Sequence, residues 1–137
     1  MLRRMILLGL FSAFITAALS ACSQKGGPDL IAERAFGQEA EGYCRRPDPG
    51  ENLVVRVRNQ GNKTIFRHST VLVVFNPGGP REGNAGPIGS SDFADVKFEI
   101  PEGWFDPDGD FKITVDANND INETNEDNND AVGICKG

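Results

Sequence analysis

Apolar and polar residues alternate along several short runs of the chain, and this two-residue period constrains the fold more than any other feature. In NLVVRVRN (52–59), three aliphatic residues are predicted to face one way and two arginines the other. The runs ADVKFEI (94–100) and FKITVD (111–116) alternate in the same manner. Because side chains of a strand point alternately to its two faces, each run predicts a strand with one buried face.

Three more runs complete the set of predicted strands. They are LIAERAF (30–36), STVLVVFN (69–76) and AVGIC (131–135), and the second is apolar on both faces, as a central strand would be. Turn-forming residues separate the runs, and no stretch of the domain shows a helix of convincing length. This pattern predicts an all-β, immunoglobulin-like antiparallel β-sandwich of about seven strands. The glycine- and proline-rich stretch 76–91 is predicted to be a loop, either a disordered excursion or a binding loop.

The first 21 residues have the pattern of a secretory signal peptide, with two arginines, an apolar run and then small residues. The sequence LSAC that ends at Cys22 matches the bacterial lipobox, which predicts a lipid on Cys22 and a mature chain that begins there. Residues 22–28 would then be a flexible tether, and residues 29–137 the folded domain. The alternative is an ordinary signal peptide in which Cys22 is incidental.

Lipidation at Cys22 would hold the protein at a membrane of the bacterial cell envelope, since more than one acyl chain gives stable anchoring. Ser23 favours the outer membrane or the cell surface over the inner membrane. Outside the inner membrane the compartment is oxidising, so the two remaining cysteines, Cys44 and Cys135, are predicted to form a disulfide. Two free thiols with a catalytic or metal role are the alternative, but no nearby histidine or CxxC spacing supports it.

The charge of the chain limits the class of partner. Without the signal peptide, 12 basic and 20 acidic residues leave a net charge of −8. This charge argues against nucleic acid and anionic lipid headgroups as partners. Nine of the acidic residues fall within residues 106–130, which contain a single lysine.

The stretch TVDANNDINETNEDNND (114–130) contains six Asn, four Asp and two Glu, with Ile121 near its middle. It could be a hairpin-like connection between strands, a weak calcium site or a locally disordered segment. Asn and Asp accept backbone N–H groups and tolerate left-handed conformations, so they build turns without glycine. The first interpretation predicts that Ile121 packs back against the core.

The calcium hypothesis rests on Asp116, Asn118 and Asp120, which occupy positions 1, 3 and 5 of an EF-hand-like spacing. Position 6 is Ile121 where an EF-hand has glycine, and position 12 is Asp127 where it has glutamate. The stretch is therefore not an EF-hand. Ca²⁺ at these three residues remains a hypothesis, and the sequence predicts no other cofactor.

Several motifs together resemble the CARDB family, the cell-adhesion-related domain of bacteria. They are the opening Pro28-Asp29-Leu30, RVRNQGN after the second strand, the G-x-F-x-I-x-V-D pattern of 109–116, and VDANNDINETNEDNN. The resemblance spans roughly residues 29–135. It implies an immunoglobulin-like sandwich on a secreted or surface protein, commonly as a non-catalytic module.

Sequence motifs of enzymes are missing: the chain has no HExxH, Walker or GxSxG signature, and its single histidine, His68, has no evident Ser/Asp partner. Trp104 and Phe105 either plug one end of the sandwich or form an exposed aromatic anchor for a ligand. The sequence therefore predicts a non-catalytic, membrane-anchored binding or adhesion module with an unknown protein or glycan ligand. The alternatives are an inhibitor or accessory subunit of one protein partner and a weak calcium-binding module.

Overall fold

Seven strands form in the computed structural model, which describes residues 26–33, 52–103 and 108–136. The strands are β1 (Leu30–Glu33), β2 (Asn52–Asn59), β3 (Ser69–Asn76), β4 (Gly79–Ala85), β5 (Phe93–Glu99), β6 (Asp108–Val115) and β7 (Asp130–Lys136). One sheet has the order β1-β2-β5 and the other β4-β3-β6-β7, with every pairing antiparallel. The predicted seven-stranded sandwich is confirmed. Within the described ranges, no helix has the length and apolar character needed to cross a bilayer.

The alternating runs place the core where the sequence predicts it. In β2, every second residue from Leu53 to Asn59 is buried, and β6 repeats this pattern from Gly109 to Val115. The opposite face of β2 carries Asn52, Val54, Arg56 and Arg58, and Arg56 pairs with Asp95 of β5 at 2.7 Å. The inner faces of the two sheets therefore form one apolar layer. Its buried apolar members are Leu30, Leu53, Val55, Val57, Ile65, Val71, Val73, Phe75, Ala85, Ile88, Val96, Phe98, Phe111, Ile113, Val115 and Ile121.

The prediction that residues 76–91 form a loop is wrong, because β4 lies within this stretch and pairs with β3 along its whole length. One of its glycines, Gly83, has a packing role that the sequence pattern does not indicate. A Cβ atom on Gly83 would lie 2.7 Å from Cγ1 of Val96 and 3.1 Å from the Phe98 ring. The missing side chain lets the edge of one sheet approach the other, so a strand forms without apolar alternation.

The two ends of the sandwich carry different connections. At one end, the segment that precedes β1 meets the β6–β7 connection, and the amide of Thr124 donates to the carbonyl of Pro28 at 2.9 Å. At the opposite end, Asn76 at the end of β3 donates to Asp110 of β6 at 2.9 Å. The β3–β4 turn and the β5–β6 connection therefore share the end that lies away from the N-terminal segment.

Several predicted residues lie outside the described part of the chain. These are the signal peptide, Cys22, Cys44, Trp104 and Phe105. Cys135 belongs to β7, but its side chain is not described. The domain boundaries, the lipid anchor, the disulfide and the aromatic anchor therefore stay predictions.

Candidate metal centre

The connection between β6 and β7 leaves its first strand through left-handed residues. Asp116 has φ 51° and Asn119 has φ 54°. Asp and Asn adopt this conformation more readily than other residues with a side chain, because their short polar groups bond locally to the backbone. The amide of Asn119 donates to the carbonyl of Asp116 at 2.8 Å and closes the turn. The abundance of Asn and Asp thus supplies turn chemistry, as predicted.

The carboxylate of Asp116 organises the first half of the connection. It is 4% exposed, and its Oδ1 accepts from the hydroxyl of Ser69 and from the amide of Asp120, both at 3.1 Å. Its Oδ2 accepts from the amide of Ile121 at 2.9 Å. These bonds direct Ile121 into the core, where it is 5% exposed, so the prediction that this residue packs inward is confirmed.

The carboxylate of Glu123 joins the second half of the connection to β1. Its Oε2 accepts from the amide of Leu30, and its Oε1 accepts from Nδ2 of Asn129 at 3.0 Å. Asn128 adds a bond from its Nδ2 to Asp29 Oδ1 at 2.8 Å. Since Glu123 is 8% exposed, its buried side chain links the connection to the start of the first strand.

Three carboxylates meet at this connection. One carboxylate oxygen each from Asp116, Glu123 and Glu126 lies within 4.8 Å of the other two. Glu126 is exposed, and its Oε1 accepts from the amide of Glu123 at 2.8 Å. No ion pair among the described residues includes any of the three. Asp116 and Glu126 also line an open surface cleft of about 400 Å³, which connects the cluster to solvent.

Burial and neighbouring negative charge change the pKa of one member of the cluster, Glu123. Burial raises the pKa of Glu123 from 4.5 to about 7, and the nearby charges of Asp116 and Glu126 act in the same direction. The hydrogen bonds from Leu30 and Asn129 favour the ionised form but only partly offset this rise. The cluster therefore favours an added positive charge, either a proton or a cation, near neutral pH.

The oxygen atoms retain capacity for a cation. A carboxylate accepts about four hydrogen bonds, whereas the bonds described above occupy three sites on Asp116, two on Glu123 and one on Glu126. The Oδ1 atom of Asn129 is buried and has no hydrogen-bond donor. Carboxylate and amide oxygens are the ligands that Ca²⁺ and Mg²⁺ prefer, so this set of residues fits a hard divalent cation.

The structure describes all three residues on which the calcium hypothesis rests. Asp116 belongs to the carboxylate cluster, whereas Asn118 and Asp120 are exposed and bond to Oγ1 of Thr70, at 3.0 Å and 3.2 Å. Glu123 and Glu126 were not among the predicted ligands, because they do not occupy ligand positions of the EF-hand-like spacing. The carboxylates of such a loop can meet in many combinations. Only the folded structure shows that Glu123 and Glu126 lie near Asp116.

A sequence model of the CARDB family matches residues 28–132. The chain belongs to the CARDB family. Its members are cell-surface or adhesion-related binding domains that are not known to be catalytic. The matched range includes the cluster and every strand except the last four residues of β7. No curated protein matches the chain.

Two solved structures have the same fold. The CARDB domain of a Pyrococcus furiosus protein, in complex with di-metal ions, is 24% identical with a TM-score of 0.59, over 81% of this chain and 94% of that one. A domain of a candidate cell surface protein from Methanosarcina acetivorans is 20% identical with a TM-score of 0.63, over 80% and 90%. At these identities the likeness establishes the CARDB fold and nothing finer.

Proposed function

We propose that this protein is a non-catalytic binding or adhesion module of the bacterial cell envelope, held at a membrane by a lipid on Cys22. The proposal is supported by the position of a CARDB sandwich directly behind a sequence, LSAC, that matches the lipobox. The first strand begins at Leu30, and eight residue steps of extended chain span at most about 28 Å. The tether would therefore keep the sandwich close to the bilayer.

This attachment gives the two ends of the sandwich different roles. The end with the β6–β7 connection contacts Pro28 and would face the membrane. The opposite end carries the β3–β4 turn and the described residues that flank Trp104 and Phe105. We place recognition of a protein or glycan ligand at this outer end, where a partner has access.

Membrane fractionation tests the anchor. Cys22→Ala should move the protein from the membrane fraction to the soluble fraction, and full membrane retention of the variant would contradict anchoring at this residue. Binding to isolated envelopes tests the outer end: Trp104→Ala should reduce binding, whereas Phe66→Ala, which removes a residue 82% exposed elsewhere, should not. A single stoichiometric protein complex in pull-downs would favour the accessory-subunit alternative.

A second function, divalent-cation binding, is favoured by the carboxylate cluster. The residues that would hold the ion are Asp116, Glu123 and Glu126, together with the buried Oδ1 of Asn129. The Pyrococcus furiosus relative was solved with di-metal ions, which supports the same class of ligand here. A bound cation would neutralise the cluster and stabilise the contact of the connection with β1.

Thermal unfolding with EDTA and with millimolar Ca²⁺ tests this function. A cation at 100 times its dissociation constant stabilises a protein by about 2.7 kcal/mol. Glu126→Gln should abolish the rise in Tm, while Asp127→Asn, the adjacent exposed acid, should retain it. A rise that Asp120→Asn abolishes and Glu126→Gln leaves unchanged would instead assign the cation to the EF-hand-like residues. No rise in the unaltered protein would contradict cation binding.

A further inference from the structure

Phe66 places an aromatic ring in solvent, in the connection between β2 and β3. Its side chain is 82% exposed, whereas the preceding residue, Ile65, is buried and pairs with Ile88. The other large apolar residues that are exposed in the described ranges all belong to strands, namely Val74, Phe93, Val132 and Ile134. Packing within the domain therefore does not explain the ring of Phe66.

The segment that carries this ring, residues 60–68 with the sequence QGNKTIFRH, is joined to the tether. The amide of Gln60 donates to the carbonyl of Asp29 at 2.8 Å. The amide of Asn62 donates to the carbonyl of Gly27 at 3.0 Å. The 60–68 segment and the tether therefore lie side by side at the same end of the sandwich.

The length of the chain brings Phe66 close to the proposed anchor. Cys22 is five residues before Gly27, which is at most about 18 Å of extended chain. Phe66 is four residues after Asn62, which is at most about 14 Å. A lipid on Cys22 would therefore hold the 60–68 segment within reach of the bilayer surface.

The charge of the 60–68 segment differs from that of the β6–β7 connection at the same end. The segment contains two basic residues, Lys63 and Arg67, and no acidic residue. Among the described residues, neither of the two belongs to an ion pair. Arg67 donates from its Nη2 to the backbone carbonyl of Asp120 at 2.8 Å, so the basic segment lies directly beside the acid-rich connection.

This combination of side chains fits the layers of a phospholipid surface. Phosphate groups lie at the level of the headgroups, and the acyl chains begin below them. Lysine and arginine bury their aliphatic stems and keep their charged ends at a polar level, while an aromatic ring enters the boundary with the acyl chains. Phosphate groups repel the acid-rich connection, so a contact with the bilayer would be confined to the 60–68 segment.

We propose that the 60–68 segment docks on the bilayer, with the ring of Phe66 between the headgroups and the acyl chains and with Lys63 and Arg67 at the phosphate groups. The inference rests on the proposed lipid at Cys22, which supplies the attachment. A single myristoyl chain gives only marginal membrane binding, and a phenyl ring is smaller. Docking therefore orients a tethered domain and does not recruit a lipid-free one, whose binding to envelopes does not depend on Phe66.

Tryptophan fluorescence of the lipid-bearing full chain in vesicles tests the proposal. Trp104 is the single tryptophan of the chain, so Trp104→Phe removes the background signal and Phe66→Trp places a reporter on the 60–68 segment. The matched control is Val74→Trp in the same background. Val74 is 38% exposed and lies five residues along β3 from Ser69, about 17 Å from the docked end. The vesicles contain phosphatidylethanolamine and phosphatidylglycerol, with and without brominated acyl chains, which quench a tryptophan that contacts them.

Brominated lipid should quench the Phe66→Trp reporter at least about twofold, because the ring would lie at the acyl chains. The Val74→Trp reporter should keep its fluorescence. Lys63→Glu, added to the Phe66→Trp chain, should reduce the quenching, since it places a negative charge at the phosphate groups. Lys97→Glu, which changes an exposed lysine on β5, should leave the quenching as it is.

Flotation of the same vesicles separates this inference from the proposed function. A chain that does not float with the vesicles would overturn both the anchor and the docking. A chain that floats while the Phe66→Trp reporter is quenched no more than the Val74→Trp reporter would overturn the docking alone. Quenching that Lys63→Glu leaves unchanged would also overturn it, because the segment would then meet the bilayer without its basic side chains at the phosphate groups.

Discussion

Two stretches of this chain are poor in apolar residues and are ordered in different ways. The glycine- and proline-rich stretch between β3 and β5 contains a regular strand, β4, whereas the Asn- and Asp-rich connection 116–129 contains none. The connection is instead ordered by hydrogen bonds to side chains, since the carboxylate of Asp116 alone accepts three. A stretch without apolar periodicity can therefore be ordered either by backbone pairing or by buried carboxylates.

The difference follows from the side chains, since glycine has none, whereas Asp and Glu provide hydrogen-bond acceptors. Gly83 has no side chain, so it permits the close approach of β4 to Val96 and Phe98. Asp and Glu supply acceptors for backbone amides that have no partner in a sheet. The stretch that contains β4 therefore packs against the other sheet. The 116–129 connection is a polar network whose negative charge favours a bound proton or cation.

The largest effect is expected from Asp116→Ala. The substitution leaves the buried amide of Ile121 and the hydroxyl of Ser69 without their acceptor, and a buried donor without a partner costs about 1–3 kcal/mol. We expect a loss of about 3 kcal/mol in the free energy of unfolding, measured with urea. A change below about 1 kcal/mol would mean that the carboxylate does not hold the connection.

The pH dependence of stability in EDTA is expected to be nearly as large. Between pH 4.5 and about 7 the folded protein keeps the proton of Glu123, while the unfolded chain has lost it. The free energy of unfolding should therefore fall as pH rises through this window, by at most about 3 kcal/mol, and then level off.

The comparison with Glu123→Gln isolates this contribution from other titrating groups. The variant should lack the fall between pH 4.5 and 7 and be more stable than the unaltered protein above pH 7. Equal pH profiles for the two proteins would show that Glu123 titrates normally.

Gly83→Ala tests the other stretch and should cost about 2 kcal/mol, because the added methyl group overpacks the contact with β5. Gly89→Ala is the matched control, since its new Cβ would meet Asp92 at an ordinary 3.4 Å. Urea unfolding of both variants measures the difference. Equal losses would show that β4 does not pack against β5 as closely as the structure has it.

The smallest effect is expected from Asp120→Asn. Its side chain makes an exposed bond to Thr70, and the amide that binds Asp116 belongs to the backbone and is retained. We expect a change within about 0.5 kcal/mol, which a urea titration can bound. A loss as large as that of Asp116→Ala would make the two aspartates equal contributors to the connection.

Alternation in the sequence predicts β2 to the residue, because a period of two indicates one buried face directly. The continuous apolar run 69–76 predicts β3 to the residue. Alternation cannot predict β4, because Gly83 allows close packing against β5 without contributing apolar area. For the connection, the sequence predicts the turn and the burial of Ile121. It does not predict the pairing of Glu123 with Leu30, since that contact joins residues 93 positions apart.

The carboxylate cluster is the central feature of this account, and locating a cation is its most direct test. A crystal grown with Ca²⁺ and a second crystal soaked with Tb³⁺ should show an ion, with anomalous signal for Tb³⁺, between Asp116, Glu123 and Glu126. The Ca²⁺–oxygen distances should be about 2.3–2.6 Å. An ion at Asn118 and Asp120, or a cluster that remains without an ion at millimolar Ca²⁺, would contradict the account.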